Sequence, residues 1–162
     1  LPEKAWTDDC KITNPTAINY AANQIYLTAL KALILGKPPL EVARKMRTML
    51  SQVPEIYNYR DSDPSDCRGW VGWALILAYK TLVRFAKGET NYLDLITSQL
   101  KAYPKGDTDT NAAISGGLIG AALGYQAWIQ QPHVLANLNI IKSANPINYE
   151  AQVPAYVAKY LT

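Results

Sequence analysis

Apolar residues recur every three to four positions along much of this chain, which is the spacing of helices that bury one face. The first such helix is expected after Pro15, with apolar positions from Ile18 to Leu33. Asn14 is its expected N-cap, and Gly36 is its expected C-terminal stop.

A second helix is expected over residues 39–53, where apolar positions again share one face, and Pro54 should end this helix. Residues 55–66 carry turn-forming side chains without a period, which predicts an exposed loop. The apolar run over residues 69–85 predicts a largely buried helix closed by Gly88.

Glycines mark the last long helix. A short helix is expected from Asn91 to Tyr103, and a longer one then runs from the Asp-Thr repeat at residue 107 to Gly124. Gly116, Gly120 and Gly124 lie at four-residue intervals, and each glycine costs a helix interior about 1 kcal/mol. A neighbouring helix or a ligand is therefore expected to come very close to that face.

The C-terminal part has a weaker pattern, in which prolines separate short helical pieces and the last piece covers residues 155–161. No segment of the sequence shows sustained strand alternation. The chain is therefore predicted to be a single all-α domain over residues 1–162, and 49% hydrophobic residues are enough to bury a core.

Composition argues against several classes of function. The net charge of +3 comes from scattered basic residues, so no nucleic-acid partner is expected. The uncharged stretch over residues 110–141 is broken by Asn, Gln, Pro and His, so no membrane span is expected. Cys10, Cys67 and His133 supply too few ligands for a zinc site. Two reduced thiols and the lack of a secretory leader favour a cytoplasmic protein.

The densest chemistry lies between Gly106 and Asn111, where two carboxylates, two hydroxyls and an amide fall within six residues. Such oxygen donors suit a hard cation such as magnesium. The alternative is a helix cap, in which Asp107 or Thr108 accepts a backbone N–H and Asp109 interacts with the helix dipole. Two carboxylates this close repel each other unless a cation lies between them.

Together with Ala112-Ala113-Ile114 and with Gly116-Gly117-Leu118-Ile119-Gly120, this run resembles the signature of the ADP-ribosylglycohydrolase family. The resemblance implies an all-α fold with a two-magnesium centre. In that chemistry the metals orient the distal ribose and a water, and they act as Lewis acids at the glycosidic carbon.

The resemblance also implies roles for the residues of this motif. Asp107, Asp109 and Thr110 match the family's C-terminal metal ligands, with Asp109 expected to touch both ions. Gly106 and Asn111 flank them and are candidate substrate-binding residues.

A second match is Ser65-Asp66-Cys67-Arg68-Gly69-Trp70-Val71, which resembles the family's loop before a glycine-aromatic-valine helix start. That loop approaches the ribose and phosphates, so the resemblance implies that its residues bind substrate. The alternative is a turn that leads into a buried helix, with the tryptophan in the core. The candidate substrate-binding residues are Ser65, Asp66, Arg68, Gly69 and Trp70.

A third match, from Asp9 to Pro15, resembles a central family segment that normally reads threonine-histidine-proline before a long helix. Asn14 stands at the position of that histidine. Thr7-Asp8-Asp9 is similar to the family's upstream metal motif, but it overlaps this segment, and we interpret it as a coincidence.

The three matches cover only the second half of the family's usual length. The first half is expected to hold the upstream metal ligands and an acidic residue near the reaction centre, so the catalytic residue is unknown here. A hydrophobic face left by absent helices is expected to recruit a complementing N-terminal chain or to form a homodimer.

Two functions are therefore expected as alternatives. The first is magnesium-dependent hydrolysis of the bond between ADP-ribose and arginine, serine or a small molecule, with ADP-ribose or an ADP-ribosylated protein as partner. The second is a non-catalytic relative that is structural or binds ADP-ribose and lacks the upstream metal ligands.

Overall fold

A computed structural model describes residues 3–62, 69–102 and 106–144, and within these ranges the chain forms helices joined by turns, without a strand. The helical piece predicted over residues 155–161 lies outside them. The helices are α1 (Glu3–Thr13), α2 (Ala17–Ile34), α3 (Pro39–Leu50), α4 (Pro54–Tyr57), α5 (Val71–Ala86), α6 (Tyr92–Ala102), α7 (Thr108–Leu123), α8 (Tyr125–Ile129) and α9 (Pro132–Ala144).

Helices α5 and α7 pack along each other at the centre of the fold. Helices α2 and α3 cover α5 on one side, α2 also contacts α7, and α6 packs mainly on α7. Every residue of α5 from Gly72 to Ala78 is buried, as a helix that is apolar on most of its circumference requires. Full burial of a large apolar side chain stabilises the fold by about 1.5–3 kcal/mol. The core therefore lies where α2, α3, α5 and α7 meet.

The predicted helix after Pro15 is confirmed as α2, but its expected cap is wrong. The Thr16 hydroxyl accepts the backbone N–H of Asn19 at 3.2 Å, so Thr16 is the N-cap. Asn14 instead accepts a hydrogen bond from the Asn19 side-chain amide on its backbone oxygen, at 2.8 Å. A capping side chain must stand immediately before the first helical residue, and Asn14 lies too far upstream. Gly36 ends the helix with a φ of 77°, as expected.

Residues 55–66 were predicted to be an exposed loop, and the first part of that prediction is wrong. Pro54 begins the short helix α4 instead of only ending α3, since proline is well tolerated in a first helical turn. Within α4 the side chain of Ile56 is 0% exposed. One buried residue in a single helical turn leaves no period in the sequence, and its burial depends on the contact with α5.

Helix α1 was not predicted. Its residues Glu3–Thr13 are mostly polar, and Cys10 is the side chain of α1 that the described structure shows as buried. Contact with α2 holds this helix against the rest of the fold. Most of the stability of so short a helix comes from such packing and little from its own propensity.

Close approach was expected at the face of α7 that carries Gly116, Gly120 and Gly124, and it is found at Gly116, as well as at Gly117 on the neighbouring face. A Cβ added at Gly116 would lie 2.7 Å from the hydroxyl oxygen of Tyr92, on α6. A Cβ added at Gly117 would lie 2.6 Å from the hydroxyl oxygen of Tyr26, on α2. Gly124 then ends the helix with a φ of 76°.

Within the described part of the chain, no helix combines the length and the apolar character that crossing a membrane requires. The uncharged stretch is divided at Gly124 between α7 and the short helix α8.

Candidate functional site

The Asp-Thr repeat forms the first turn of α7. Asp107 occupies the N-cap position, and its backbone oxygen accepts the N–H of Asn111 at 3.1 Å. Its side chain makes no capping hydrogen bond with that turn. The cap that the alternative interpretation assigned to the Asp107 side chain is therefore not formed.

Asp109 lies two residues further on and is exposed. The backbone N–H of Thr110 donates to its carboxylate and is the main reason that the pKa of Asp109 lies below its usual value. A hydrogen bond with the Asp107 side chain and the residue's own N–H lower that pKa further. These contacts favour the ionised form of the Asp109 carboxyl group, which lies beside a second carboxyl group.

The side chains of this turn point in different directions. Asp109 and Thr110 are exposed, whereas Asn111 is only 8% exposed and faces the interior. Gly106 is half-buried just ahead of the helix. The structure therefore brings the three predicted metal ligands to one helix start and turns Asn111 away from solvent.

The donor chemistry of this turn fits a hard cation. Two neighbouring carboxyl groups and a hydroxyl supply oxygen ligands, which magnesium prefers. Across residues 3–62, 69–102 and 106–144, no three or more His, Cys, Asp and Glu side chains gather in a way that could hold a metal ion. The turn thus offers two carboxyl groups and a hydroxyl, which are fewer ligands than a complete metal shell needs.

The second predicted motif is only partly described, because Ser65, Asp66 and Arg68 lie outside the described residues. Gly69 is exposed, with a φ of 71°, a backbone conformation that glycine adopts without steric cost. Trp70 follows as the N-cap residue of α5.

Trp70 is half-buried and packs against other aromatic rings. Its ring meets those of Tyr59 and Trp73 edge to face, with centroids 5.2 Å and 5.7 Å away. A Cβ added at Gly72 would lie 2.5 Å from the Trp70 ring, so this packing requires a glycine there. These contacts favour the alternative in which Trp70 is part of the core.

A cavity of about 150 Å³ lies between α2, α5 and α7. Val71 at the start of α5 and Ile114 in the second turn of α7 both line it, so the N-terminal halves of these two helices border the same space. Asn23 and Tyr26 line it from α2 and were not predicted as site residues. Their three-residue spacing, which places both on one helix face, is the signal that could have indicated them.

Comparison with protein families gives a match over most of the chain. A family profile described as ADP-ribosylglycohydrolase matches residues 3–146 of the 162-residue sequence. The chain belongs to the ADP-ribosylglycohydrolase family. Searches of curated proteins and of solved structures found no match.

The family match includes both motifs, at residues 65–71 and 106–111, and the predicted all-α fold is confirmed. Membership of the family supports a glycohydrolase-like function.

The N-terminal segment contains the two remaining motif-like runs. Asp8 pairs with Lys11 across one helical turn, with 3.0 Å between Oδ1 and Nζ, and both side chains are about half exposed or more. Thr7-Asp8-Asp9 lies on α1, and Asn14 follows this helix with its backbone N–H bonded to the Cys10 oxygen at 2.9 Å. Asn14 is exposed and stands just before α2.

Proposed function

We propose that this chain supplies part of the active site for magnesium-dependent hydrolysis of the N- or O-glycosidic bond that links ADP-ribose to a protein side chain or a small molecule. One observation carries the proposal. At the start of α7, Asp107 and Asp109 bring two carboxyl groups together, and the Asp107 side chain is not used to cap the helix.

Asp107, Asp109 and Thr110 would hold magnesium, and bound magnesium would supply Lewis-acid chemistry and a template at the glycosidic carbon. The low pKa of Asp109 supports its role, since a carboxylate binds a cation in its ionised form. Gly106, which stands just ahead of the ligands, would position the substrate, whereas the buried Asn111 would support the turn from inside. Ser65, Asp66, Arg68 and Gly69 would form the second substrate-facing loop, and Trp70 would support it from the core.

The rest of the metal shell would come from elsewhere, because the described part of the chain gathers no third ligand of the His, Cys, Asp or Glu type at this turn. We propose a complementing N-terminal chain or a second copy of this chain as its source. The partner would be ADP-ribose or an ADP-ribosylated protein. A cytoplasmic location is proposed on the composition of the chain.

As a second candidate function, the chain would be a non-catalytic relative of the family that binds ADP-ribose or has a structural role. The same incomplete ligand set favours it, as does Asn14 at the position where the family usually has histidine. In this relative the Asp-Thr repeat would serve only to begin α7, through the interaction of Asp109 with backbone N–H groups.

Calorimetric titration of magnesium, followed by ADP-ribose, tests the proposal. The wild-type chain should bind magnesium, and ADP-ribose binding should depend on it. Asp107→Asn and Asp109→Asn each keep the size of the side chain and remove one carboxylate, so both variants should lose the magnesium response.

Asp94→Asn is the matched control, because Asp94 is also an exposed acidic residue in the first turn of a helix, α6. It should bind magnesium as the wild type does. An equal loss of magnesium binding in Asp94→Asn would indicate a general effect of charge. If the wild type binds no magnesium, the result would favour the non-catalytic relative.

Hydrolysis is tested by adding a separately expressed N-terminal half from a family member. Release of ADP-ribose from ADP-ribosyl-arginine or ADP-ribosyl-serine peptides, in the presence of magnesium, is the expected result. A reconstituted protein that binds magnesium and ADP-ribose but releases none would support a binding role.

A further inference from the structure

A second cavity, of about 200 Å³, lies between α3, α4 and α5. It shares no lining residue with the cavity between α2, α5 and α7, and it includes no residue of the Asp-Thr repeat. Its walls come from three separate parts of the chain. The lining residues are Arg47, Leu50, Tyr57, Arg60, Asp61, Ile76, Tyr79 and Lys80.

Positive charge converges on this cavity. Arg47 comes from α3, Arg60 from the turn after α4, and Lys80 from α5. Asp61 is the one carboxylate in the lining, and it pairs with Arg60, with 3.2 Å between Oδ2 and Nε. Three cations against one carboxylate leave an excess of two positive charges.

Two of the cations have no ion pair within the described residues. The ion pairs of this part of the chain include neither Arg47 nor Lys80. Cations that line one cavity give it a positive potential, which favours the entry of an anion.

Arg60 is already held in place. Its Nη1 donates to the backbone oxygen of Tyr57 at 3.1 Å, and its guanidinium lies 4.2 Å from the centre of the Tyr57 ring. With the Asp61 contact, three interactions fix the orientation of this side chain. A ligand that binds it therefore loses less side-chain entropy than one that must order a free arginine.

The cavity also has an apolar floor. Leu50 and Ile76 are only 3% and 1% exposed, and they form the inner wall. Tyr79 adds a half-buried aromatic side chain beside Lys80. A ligand for this cavity would combine an anionic group for the cations with a flat, less polar part for the floor and the tyrosine.

We propose that this cavity binds a small phosphate-bearing ligand with a planar ring, of the mononucleotide class. Arg47 and Lys80 contact the phosphate, Arg60 adds a pre-oriented guanidinium, and the ring lies against Tyr79 and the apolar floor. Arginine and lysine are the side chains best suited to phosphate oxygens. The site is independent of the magnesium-dependent site proposed above and does not require that proposal.

The test is calorimetric titration of adenosine monophosphate and of inorganic phosphate into the full chain at low salt, with EDTA present to remove magnesium. Adenosine monophosphate should bind more tightly than inorganic phosphate, and its affinity should fall as salt is added. Lys80→Gln and Arg47→Gln should each weaken binding by about tenfold, the size expected for one charge-assisted contact.

Lys45→Gln is the matched control, since Lys45 is exposed on α3 and does not line the cavity. It should bind adenosine monophosphate as the wild type does. Circular dichroism checks that each variant is folded, and Arg47 is exposed, so its substitution leaves the core intact.

No binding of adenosine monophosphate by the wild type, or equal weakening in Lys45→Gln, would overturn the proposal. The same titration in Asp107→Asn/Asp109→Asn separates the two sites, because this variant should keep its affinity for adenosine monophosphate in EDTA. Loss of binding there would assign the ligand to the α7 site and also overturn the proposal.

Discussion

The hydroxyl of Tyr26 donates a hydrogen bond to the backbone oxygen of Ile114, at 2.9 Å, and so joins α2 to α7 across 88 positions of sequence. The same hydroxyl occupies the space that a side chain at residue 117 would need. A glycine at residue 117 and a tyrosine at residue 26 are therefore coupled. Gly117 lies in the third turn of α7, the helix that begins with the Asp-Thr repeat.

This coupling predicts that Gly117→Ala destabilises the wild type but stabilises the Tyr26→Phe variant. In the wild type the new methyl group would lie 2.6 Å from the Tyr26 hydroxyl oxygen, and the resulting displacement should cost about 1–3 kcal/mol. In Tyr26→Phe the nearest remaining ring atom would lie 4.0 Å away, so the better helix propensity of alanine should stabilise the protein by up to about 1 kcal/mol.

Urea unfolding of the two single variants and the double variant measures this coupling. Tyr26→Phe alone should lower the free energy of unfolding by about 1 kcal/mol, because it removes one hydrogen bond. Equal effects of Gly117→Ala in both backgrounds would show that Tyr26 does not restrict residue 117.

Alkaline pH should weaken the fold through Tyr26. Burial raises the pKa of its hydroxyl above the ordinary value, so the folded state keeps a proton that the unfolded state gives up. This contribution to stability is complete below the unfolded-state pKa, which is about 10, and it is lost as pH rises toward the folded-state pKa.

Thermal unfolding between pH 8 and pH 11 tests this prediction in the wild type and in Tyr26→Phe. The difference in Tm between the two proteins should shrink as pH rises through about 10. Other tyrosines and lysines titrate in both proteins and cancel in the difference. A constant difference across this range would contradict the assignment to Tyr26.

Ile56 should anchor the segment after α3. Because its side chain is 0% exposed, Ile56→Ala should lower the free energy of unfolding by about 2–5 kcal/mol. Ile12 is 82% exposed, and Ile12→Ala should change that free energy by at most about 0.5 kcal/mol. Chemical denaturation of the two variants measures these free energies. Similarly small losses at both positions would mean that α4 does not pack on the core.

Cys10 should react slowly with thiol reagents. Its side chain is 3% exposed, and burial, followed by the negative charge of Asp9, raises the pKa of its thiol. At pH 8 a Cys67→Ser variant should therefore react with a disulfide reagent at least about tenfold more slowly when folded than in denaturant. The same rate in both conditions would show that the Cys10 thiol is accessible.

Long periodic segments were determined by the sequence itself. The stretches that became α2 and α3 repeat their apolar residues over at least three turns, so each specifies its own buried face, and the continuous apolar run of α5 specifies burial on most sides. The Asp-Thr repeat likewise carries its chemistry within six neighbouring residues, and its resemblance to the family needed no tertiary information. These features are local, and a local pattern can be read without a fold.

Features that depend on distant contacts were decided by the tertiary structure. Helix α4 is one turn long and is fixed by the burial of Ile56, and the hydroxyls of Tyr92 and Tyr26 occupy the space beside Gly116 and Gly117 of α7. Likewise, Trp70 packs on its aromatic neighbours because α5 begins beside Tyr59. Short elements and side-chain contacts across the chain gain their stability from packing, and packing depends on which helices the fold brings together.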